Sequence, residues 1–320
     1  MIDTKTTAHT NIALIKYWGK KDEKLRIPYT DSLSLTLDKF YTETTTSFTD
    51  SSEDIITLDG KKANNSFATR VKHYLDFVRS LNGSNQTISV NTINHVPTSA
   101  GLASSASGFA ALAGSLNKLF KMNINSKDLS RLARMGSGSA CRSIFGGFVL
   151  WHHGDTDKNS YAEPIDQDNT IPIRIISVVT NSHKKKISST IGMRRAVETS
   201  PFYPVWPQIV NKDLRDILDA IKNQDLEQIG KISENNCMSM HALDLSARPS
   251  FNYFSAKTLE VIDFVQQLRK KGYLAYVTID AGPNVKVIVS QNDVKQIDSL
   301  ILNEIDNVQT TILKPGTGIA

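Results

Sequence analysis

Residues 97–108 read PTSAGLASSASG, a run of small residues interrupted by one Leu. The run lies between an alternating, strand-like segment (86–94) and an Ala-rich, helix-like segment (109–120). Small residues let a ligand approach the main chain closely, and the start of a helix presents unpaired N–H groups. The run therefore predicts an anion site, with nucleotide phosphate as the favoured ligand. The alternative is a helix start whose small residues only allow close packing.

This run matches neither of the two common nucleotide-binding motifs. The chain contains no G-x-x-x-x-G-K-[ST] sequence, and the run is not a G-x-G-x-x-G fingerprint. A nucleotide bound here would need a different scheme of recognition.

Composition limits the class of protein. The chain has 320 residues, 40% of them hydrophobic and 22% charged, which is typical of a soluble globular protein of two domains. Its net charge of +5 is mild and spread along the chain, which argues against a nucleic-acid partner. The only cysteines, Cys141 and Cys237, form no CxxC pair. With no signal-like start and no membrane-length apolar run, we expect a cytoplasmic protein without a membrane partner.

Hydrophobic periodicity predicts a mixed α+β chain. Strands are expected at residues 9–20, 32–37, 41–48, 55–58, 86–94, 148–151, 171–180, 275–279, 285–289 and 308–313. Helices are expected at residues 66–81, 109–120, 126–135, 191–198, 207–221, 226–240, 255–271 and 293–304. Ser126 and Ser255 are predicted N-caps, and Gly272 is a predicted C-terminal stop. The polar stretch 155–170 predicts a boundary between domains at 1–170 and 171–320.

Two further loops concentrate groups that suit chemistry. Residues 136–142 read GSGSACR, where the planar fork of Arg142 suits a carboxylate or phosphate; a glycine-rich turn with a surface Arg is equally consistent. Residues 280–284 read DAGPN between two apolar strands. Asp280 could face a cleft as a base, although an Asp at a turn more often bonds its own main chain.

A fourth loop, residues 184–190, reads KKKISST and leads into a helical pattern that contains Met193. Hydroxyl and basic groups at a helix start again suggest an anion site. The alternative is a solvated loop.

In this order, these loops resemble those of the diphosphomevalonate decarboxylases, a family of the GHMP kinase superfamily that includes galactokinase, homoserine kinase, mevalonate kinase and phosphomevalonate kinase. The segment NIALIKYWGK (11–20) resembles the family's N-terminal signature, and 97–107 resembles the superfamily phosphate loop P-x-x-x-G-L-x-S-S-A-S. The segment GSGSACRS (136–143) is specific to the decarboxylases, and 280–284 resembles the third superfamily motif with the decarboxylases' Asp. The resemblance runs from residue 8 to residue 316.

The resemblance implies a two-domain α+β GHMP kinase fold with the active site in the cleft. The N-terminal domain would resemble a ribosomal-protein fold, and the C-terminal domain would be a ferredoxin-like α/β sandwich. The implied reaction is ATP-dependent decarboxylation of (R)-5-diphosphomevalonate to isopentenyl diphosphate, CO2, ADP and phosphate through phosphorylation of the 3-hydroxyl. ATP and Mg²⁺ would be the cofactors and a homodimer the assembly. Two alternatives remain: a GHMP-type kinase that does not decarboxylate, and a non-catalytic binding protein that keeps the fold.

The resemblance also implies roles for individual residues. Asp280 would be the essential Asp that orients or deprotonates the 3-hydroxyl, Arg142 would orient the substrate, and Lys16 would hold Asp280 ionised. Catalytic hydroxyls are expected at Ser139 and Ser189. The residues expected to bind substrate are Tyr17, Lys20, Ser137, Ser139, Arg142, Ser188 and Met193. Those expected to bind ATP are Pro97, Ser99, Ala100, Gly101, Leu102, Ala103, Ser104, Ser105 and Ser107, with Ser105 also contacting Mg²⁺.

Two positions depart from the family pattern. Thr30-Asp31 stands where many members carry Asn-Ser, and Met135 stands where eukaryotic members usually carry Gln. Both lie beside the motifs, so they affect local substrate contacts rather than the expected activity.

Overall fold

The structure is a computed structural model that describes residues 3–96, 104–166, 171–180 and 187–320. Most of the predicted phosphate loop (97–103) and the three lysines at 184–186 lie outside these ranges.

The described residues form thirteen strands and eight α-helices. The strands are β1 (Thr4–Ile15), β2 (Lys20–Asp22), β3 (Ile27–Pro28), β4 (Ser32–Thr49), β5 (Ile55–Leu58), β6 (Lys61–Lys62), β7 (Thr87–His95), β8 (Phe148–His152), β9 (Tyr161–Asp166), β10 (Ile173–Val179), β11 (Ala275–Ile279), β12 (Val285–Ser290) and β13 (Gln309–Leu313). The helices are α1 (Asn65–Asn82), α2 (Ser104–Leu119), α3 (Ser126–Gly136), α4 (Ser189–Thr199), α5 (Trp206–Lys222), α6 (Leu226–Ser246), α7 (Ala256–Lys270) and α8 (Val294–Glu304). Two 3₁₀ segments, Gly138–Ile144 and Tyr203–Val205, complete the set.

The first sheet is organised around β4. Its described strands follow the order β6-β5-β7-β4-β8-β9, and β1 pairs with β4 antiparallel. The sequence predicted two strands where β4 is one, because β8 and then β7 continue the ladder on either side of residues 36–40. Side chains on both faces of its first half are buried, including Leu33 and Ser34.

Helix α2 lies against this sheet in very close contact. A Cβ on Gly114 would come within 2.6 Å of Thr6 Cγ2, so only glycine allows this approach. The neighbouring Ser115 hydroxyl lies 2.8 Å from Thr46 Oγ1. This packing fixes the start of α2, and with it the end of the predicted phosphate loop.

The second sheet has the order β11-β12-β10-β13 and is antiparallel throughout. One face is apolar and packs against α7 and α8. The opposite face is mixed: it carries the polar cross-strand neighbours Thr278 and Lys286 beside apolar side chains such as Ile175 and Ile288. This mixed face lies on the side of the first sheet, since Thr278 Oγ1 reaches the main-chain oxygen of Ala13 at 3.4 Å.

One detail of the sequence prediction is wrong. The N-cap of α3 is Asn125 rather than Ser126, because Asn125 has the extended backbone of a cap and its Oδ1 accepts from the Asp128 N–H at 2.8 Å. The polar stretch 155–170 contains a strand that the sequence did not predict, β9, which pairs with β8. The other predicted cap is confirmed, because Ser255 forms a capping box with Thr258 at the start of α7.

A single apolar cluster joins the two sheets. It contains side chains of β1 and β4 together with β10, α5 and α6, such as Leu14, Leu35, Ile175, Val210 and Met240. The boundary at residue 170 stays a prediction.

Candidate active site

Lys16 and Asp280 meet between the two sheets. Lys16 follows β1 and is 1% exposed, and its Nζ lies 2.7 Å from Asp280 Oδ1. The same Nζ donates to the main-chain oxygen of Ala13 at 2.8 Å. Asp280 follows β11 and keeps 28% of its side chain exposed, so one carboxylate is both ion-paired and accessible.

The charge of Asp280 is set by surrounding cations. Burial by itself would raise the pKa of this carboxyl, but the positive charges of Lys16 and Lys286 outweigh it and lower the pKa below its usual value. Burial also lowers the pKa of Lys286 to about 8, although Asp280 acts in the opposite direction. Asp280 is therefore ionised at neutral pH.

Arg142 is a buried cation on the Gly138–Ile144 segment, 2% exposed. Its Nη1 donates to Ser32 Oγ at 2.5 Å and its Nη2 to Asn11 Oδ1 at 3.5 Å. Its Nε is buried without a hydrogen-bond partner among the described residues. Burial lowers the pKa of this guanidinium, and Asp280 interacts with it electrostatically, which places both groups in one site.

Aromatic side chains form a wall beside Arg142. The Tyr17 and Trp151 rings pack edge to face with centroids 4.8 Å apart, and the guanidinium lies 5.8 Å from the Trp151 ring. A Cβ on Gly138 would come within 3.0 Å of the Tyr17 hydroxyl. Burial raises the pKa of this hydroxyl above its usual range, so it stays a proton donor. It has no hydrogen-bond partner among the described residues.

The segment that carries Arg142 is held by Asn11. Asn11 Nδ2 donates to Ser143 Oγ at 2.8 Å and to the main-chain oxygen of Ser139 at 3.3 Å. Ser137 is 8% exposed and precedes the 3₁₀ segment, while Ser139 is half-buried on it. Both predicted serines thus lie on the segment that carries Arg142.

A small cavity of about 130 Å³ lies beside the start of α2. Ser105 and Gly108 line it from α2, and Arg70 and Asn94 contribute polar groups. Ser107 is different, because its hydroxyl is fully buried and lies 2.7 Å from Thr42 Oγ1. Of Ser105 and Ser107, which are both expected to contact ATP, this placement favours Ser105.

The predicted substrate residues of α4 lie at its first turns. Ser188 is the N-cap, and its Oγ accepts from the Ile191 N–H at 3.3 Å. Ser189 is the first residue of the helix, and Met193 is buried in the shared core, so its side chain offers no polar contact. Lys20 lies on β2 with its Nζ 2.7 Å from Glu23 Oε2.

Helix α4 is brought close to the N-terminal signature by Tyr203. The Tyr203 hydroxyl donates to the main-chain oxygen of Trp18 at 3.0 Å. Gly19 has a φ of +108°, and a Cβ there would collide with both Tyr203 and Val197 of α4. These contacts involve the C-terminal end of α4. The start of α4 is reached through Tyr253, whose ring packs edge to face on Trp18 and whose hydroxyl donates to the main-chain oxygen of Ser188 at 3.5 Å.

The two departures from the family pattern have their own partners. Asp31 Oδ1 accepts from the His153 N–H at 2.7 Å and also contacts the His153 ring. Met135 accepts from Arg26 Nε at its main-chain oxygen, at 2.8 Å. Asp31 directly precedes Ser32, so it is bonded away from Arg142 rather than towards it.

Sequence reasoning missed four residues of the site: Asn11, Ser32, Asn236 and Lys286. Lys286 left a signal, since it is the only charged residue in the apolar strand VKVIVS of β12. Asn11 opens the recognised signature, but nothing in the sequence relates it to Arg142. Asn236 lies in a long helix whose pattern does not distinguish it from its neighbour Asn235.

No helix in the described part of the chain is both long and apolar enough to span a bilayer. Within the same ranges, no group of three or more His, Cys, Asp or Glu side chains is arranged to hold a metal ion.

Two models of known protein families match this chain, and together the matched residues include both sheets. Residues 8–162 match the diphosphomevalonate decarboxylase-like N-terminal domain, and residues 175–314 match the mevalonate 5-diphosphate decarboxylase C-terminal domain. The chain is 37% identical to diphosphomevalonate decarboxylase of Ganoderma lucidum, with 92% of this chain and 80% of the relative covered. It is 34% identical to the Homo sapiens protein of that name, with 91% and 77% covered.

Solved structures match over the whole fold. A mevalonate diphosphate decarboxylase from Enterococcus faecalis superposes with a TM-score of 0.95 at 45% identity, covering 99% of this chain and 98% of that one. The Staphylococcus aureus enzyme gives 0.95 at 43%, covering 99% and 97%. A structure described as MDDEF in complex with MVAPP, AMPPCP and magnesium gives 0.96 at 45%, covering 100% and 98%. These matches, on both domains and across the whole fold, establish that the chain belongs to the diphosphomevalonate decarboxylase family.

Proposed function

We propose that this protein converts (R)-5-diphosphomevalonate and ATP into isopentenyl diphosphate, CO2, ADP and phosphate. The observation that carries this is the pairing of two groups in one site. Asp280 is ion-paired and ionised, as a group that orients a hydroxyl must be, and Arg142 is a buried cation whose hydrogen-bond partners among the described residues are neutral oxygens. A kinase needs a carboxylate such as that of Asp280. A decarboxylase that binds the carboxylate of its substrate also needs a cation such as Arg142.

The chemistry explains why a kinase fold performs a decarboxylation. The substrate carries its carboxylate two carbons from a tertiary alcohol and has no carbonyl to accept the electrons of the breaking C–C bond. Those electrons must displace the oxygen of the alcohol, and hydroxide is a poor leaving group. Phosphorylation of the alcohol solves this problem, because phosphate is a good leaving group.

Asp280 orients the 3-hydroxyl for attack on the γ-phosphorus and accepts its proton. A positioned base contributes about 10²–10⁴-fold to a rate. Positioning contributes as well, because the transition state of phosphoryl transfer is largely dissociative. Lys16 keeps the carboxylate ionised and fixes the oxygen that it contacts at 2.7 Å.

Arg142 grips the substrate carboxylate through its guanidinium. Among the described residues, Nε has no hydrogen-bond partner and the Nη atoms have neutral ones, so no carboxylate of the described chain is ion-paired directly with this guanidinium. As the C–O bond to phosphate breaks, the C–C bonding electrons form the new double bond and neutral CO2 leaves. An Arg suits this step because it never exchanges a proton.

ATP fits the region where α2 begins. The cavity of about 130 Å³ accepts part of the nucleoside, and the adjacent N-terminus of the 16-residue helix favours phosphate. Ser105 would contact the phosphates and Mg²⁺, together with the run at 97–104. Mg²⁺ usually keeps phosphate and water ligands, and when bound it neutralises charge on the transferring phosphate.

The diphosphate of the substrate would lie where Tyr17, Lys20 and the start of α4 approach one another. The Tyr17 hydroxyl donates a hydrogen bond, and the N-terminal turn of α4 offers N–H groups at Ser188 and Ser189. The lysines at 184–186 precede this turn in the sequence.

The assay that tests the function measures ADP and CO2 together. Purified protein is supplied with ATP, Mg²⁺ and either diphosphomevalonate, phosphomevalonate or mevalonate. Equal amounts of ADP and CO2 with the diphosphate are expected. ADP without CO2 would show the alternative, a kinase that stops at the phosphorylated alcohol, and neither product would indicate a binding protein.

We also propose the homodimer and the cytoplasmic location that the family resemblance implies. Support for the dimer comes from Phe202 and Leu245, which are 55% and 54% exposed. They lie near each other because Ser200 Oγ and Ser246 Oγ are 2.6 Å apart. Light scattering on the purified protein measures the assembly, and a monomer at micromolar concentration would contradict it.

A further inference from the structure

Helix α6 lies between the two strands that carry Lys16 and Asp280. It contacts β1 on one side and β11 on the other. Two consecutive residues of α6, Asn236 and Cys237, are both 0% exposed. Each reaches the main chain of a different strand.

Asn236 holds the main chain of Lys16. The Lys16 N–H donates to Asn236 Oδ1 at 2.8 Å, and Asn236 Nδ2 donates to Asp213 Oδ2 of α5 at 2.9 Å. The amide orientation is fixed from both sides, because a main-chain N–H can only donate and the carboxylate only accept. Asp213 in turn lines a cavity of about 510 Å³ between α5 and α6, so the chain of contacts begins near solvent.

Cys237 holds the main chain directly before Asp280. Its Sγ lies 3.1 Å from the Ile279 nitrogen and 3.3 Å from the Ile279 oxygen. One turn further on, His241 Nε2 lies 3.2 Å from the same oxygen. Burial alone would lower the pKa of His241, but Asp244 and Cys237 raise it to about 9.

We propose that Asn236 is a positioning residue for phosphoryl transfer, through which α6 sets the place of Lys16 relative to Asp280. Lysine has a long, flexible side chain, so its charge is placed accurately only if its main chain is fixed. Asn236 supplies that fixed point for Lys16 while Cys237 supplies one for the residue before Asp280. The two anchors are consecutive residues of one rigid helix, so they define a distance between two different sheets.

The inference rests on the proposed function and extends it. A displacement of about 1 Å at a reacting group can cost about 10²-fold in rate. Loss of the Asn236 contact should therefore lower kcat and leave the KM for both substrates nearly unchanged, because neither substrate is bound by Asn236. A merely structural role would lower the thermal midpoint and leave the kcat of the folded enzyme unchanged.

The decisive variants are Asn236→Asp, Asp213→Asn and the two combined. In Asn236→Asp, two carboxylates face each other at the position of the 2.9 Å contact, and they cannot both be ionised at that distance. We expect kcat to fall about 10- to 100-fold. In the double variant, the carboxylate at position 236 accepts both from the Lys16 N–H and from the amide at position 213. Most of the lost kcat should therefore return. Asn235→Asp is the matched control, because Asn235 is the exposed neighbour on the same helix.

The outcomes separate the inference from the proposed function. Wild-type protein that releases neither ADP nor CO2 contradicts the function. Active wild-type with unchanged kcat in Asn236→Asp, or with no recovery in the double variant, overturns the inference. If Asn236→Asp does not fold, Asp213→Ala gives the answer, since it removes the anchor of the Asn236 amide at a partly exposed site. Its kcat should fall several-fold with a smaller loss in Asp213→Asn, and equal kcat in both would overturn the inference.

Discussion

Lys16 and Arg142 are both buried cations of the same site, yet their partners differ in kind. The Lys16 ammonium lies 2.7 Å from a carboxylate of the protein, whereas among the described residues the Arg142 guanidinium bonds the neutral oxygens of Ser32 and Asn11. Burying a charge is costly unless it is compensated. The compensation is permanent for Lys16, while for Arg142 the substrate carboxylate would provide it.

This difference divides the two halves of the reaction between the two cations. The paired cation prepares Asp280 before any substrate arrives, which suits phosphoryl transfer. In the proposed mechanism Arg142 would gain its counter-ion when substrate binds and lose it again as CO2 departs, which suits decarboxylation. Variants that remove or supply a counter-charge test this division.

The largest effect is expected from Asp280→Asn, which removes the counter-charge of Lys16 at nearly constant shape. Turnover measured as ADP release should fall about 10²–10⁴-fold, because the base is lost. Both substrates should still bind, as measured by calorimetry. Asp306→Asn, at an exposed position after α8, is the matched control. Turnover near that of the wild type would exclude the role of Asp280.

Arg142→Lys should have the next largest effect, because it keeps the charge and loses the planar fork. We expect CO2 release to fall about 10²-fold, as for a misplaced reacting group. ADP release should fall less, so the ratio of ADP to CO2 should rise above one. Arg174→Lys, on β10 with Gln291 as its side-chain partner, is the control. An unchanged rate and a ratio of one would argue against the carboxylate grip.

Lys286→Met removes the second cation that acts on Asp280. Turnover at pH 7 should fall about tenfold, which corresponds to about 1.4 kcal/mol in the barrier. The pKa of Lys286 in the folded chain is about 8, below the usual 10.5. The unfolded chain therefore binds more protons between these values, and the wild type should gain stability as pH rises through them.

The pH dependence of Lys286→Met distinguishes this electrostatic role from simple packing. Wild-type kcat should decline above about pH 8 as Lys286 loses its proton. In the variant this decline should disappear, and so should the gain in stability between pH 8 and 10.5. Lys295→Met, exposed on α8, is the control. If kcat of the variant still declines at high pH, another titrating group causes that decline.

The smallest effect is expected from Ser32→Ala, which removes a neutral partner of Arg142. The net contribution of a typical hydrogen bond is about 0.5–1.5 kcal/mol, and Asn11 stays as a partner of Arg142, so the KM for diphosphomevalonate should rise about two- to tenfold. Ser34→Ala is a close control, because Ser34 is buried on the same strand and its hydroxyl has no partner among the described residues. Equal KM values for the two variants would show that Ser32 does not orient the guanidinium.

Much of the fold follows from the sequence because its patterns are local. The alternation in β4, the apolar stripe of α1 and the caps of α7 depend on neighbours within a few residues. The merged strand β4 was not predictable, since its continuity depends on pairing with β7 and β8. The short β2–β3 hairpin was not predicted either, because strands of two and three residues show no hydrophobic periodicity.

The site was predictable where motifs carry it and unpredictable where contacts cross the chain. Motifs marked Lys16, Arg142 and Asp280 as functional candidates. They could not give the neutral surroundings of Arg142, since Ser32 lies 110 residues away along the chain. Nor could they identify Asn236, whose contact with Lys16 spans 220 residues. The described structure does not reach most of the phosphate loop, so the roles predicted for residues 97–103 stay predictions.

The apolar cluster that joins the two sheets has a thermodynamic consequence. Side chains such as Leu14 and Leu35 of the first sheet share it with Ile175 and Val210 of the second half. Exposing each such side chain would cost about 1.5–3 kcal/mol, so swinging the halves apart would cost a large part of the total stability. We therefore expect substrates to reach Asp280 without a separation of the two halves. For the same reason the two sheets should melt as one cooperative unit, with equal calorimetric and van't Hoff enthalpies.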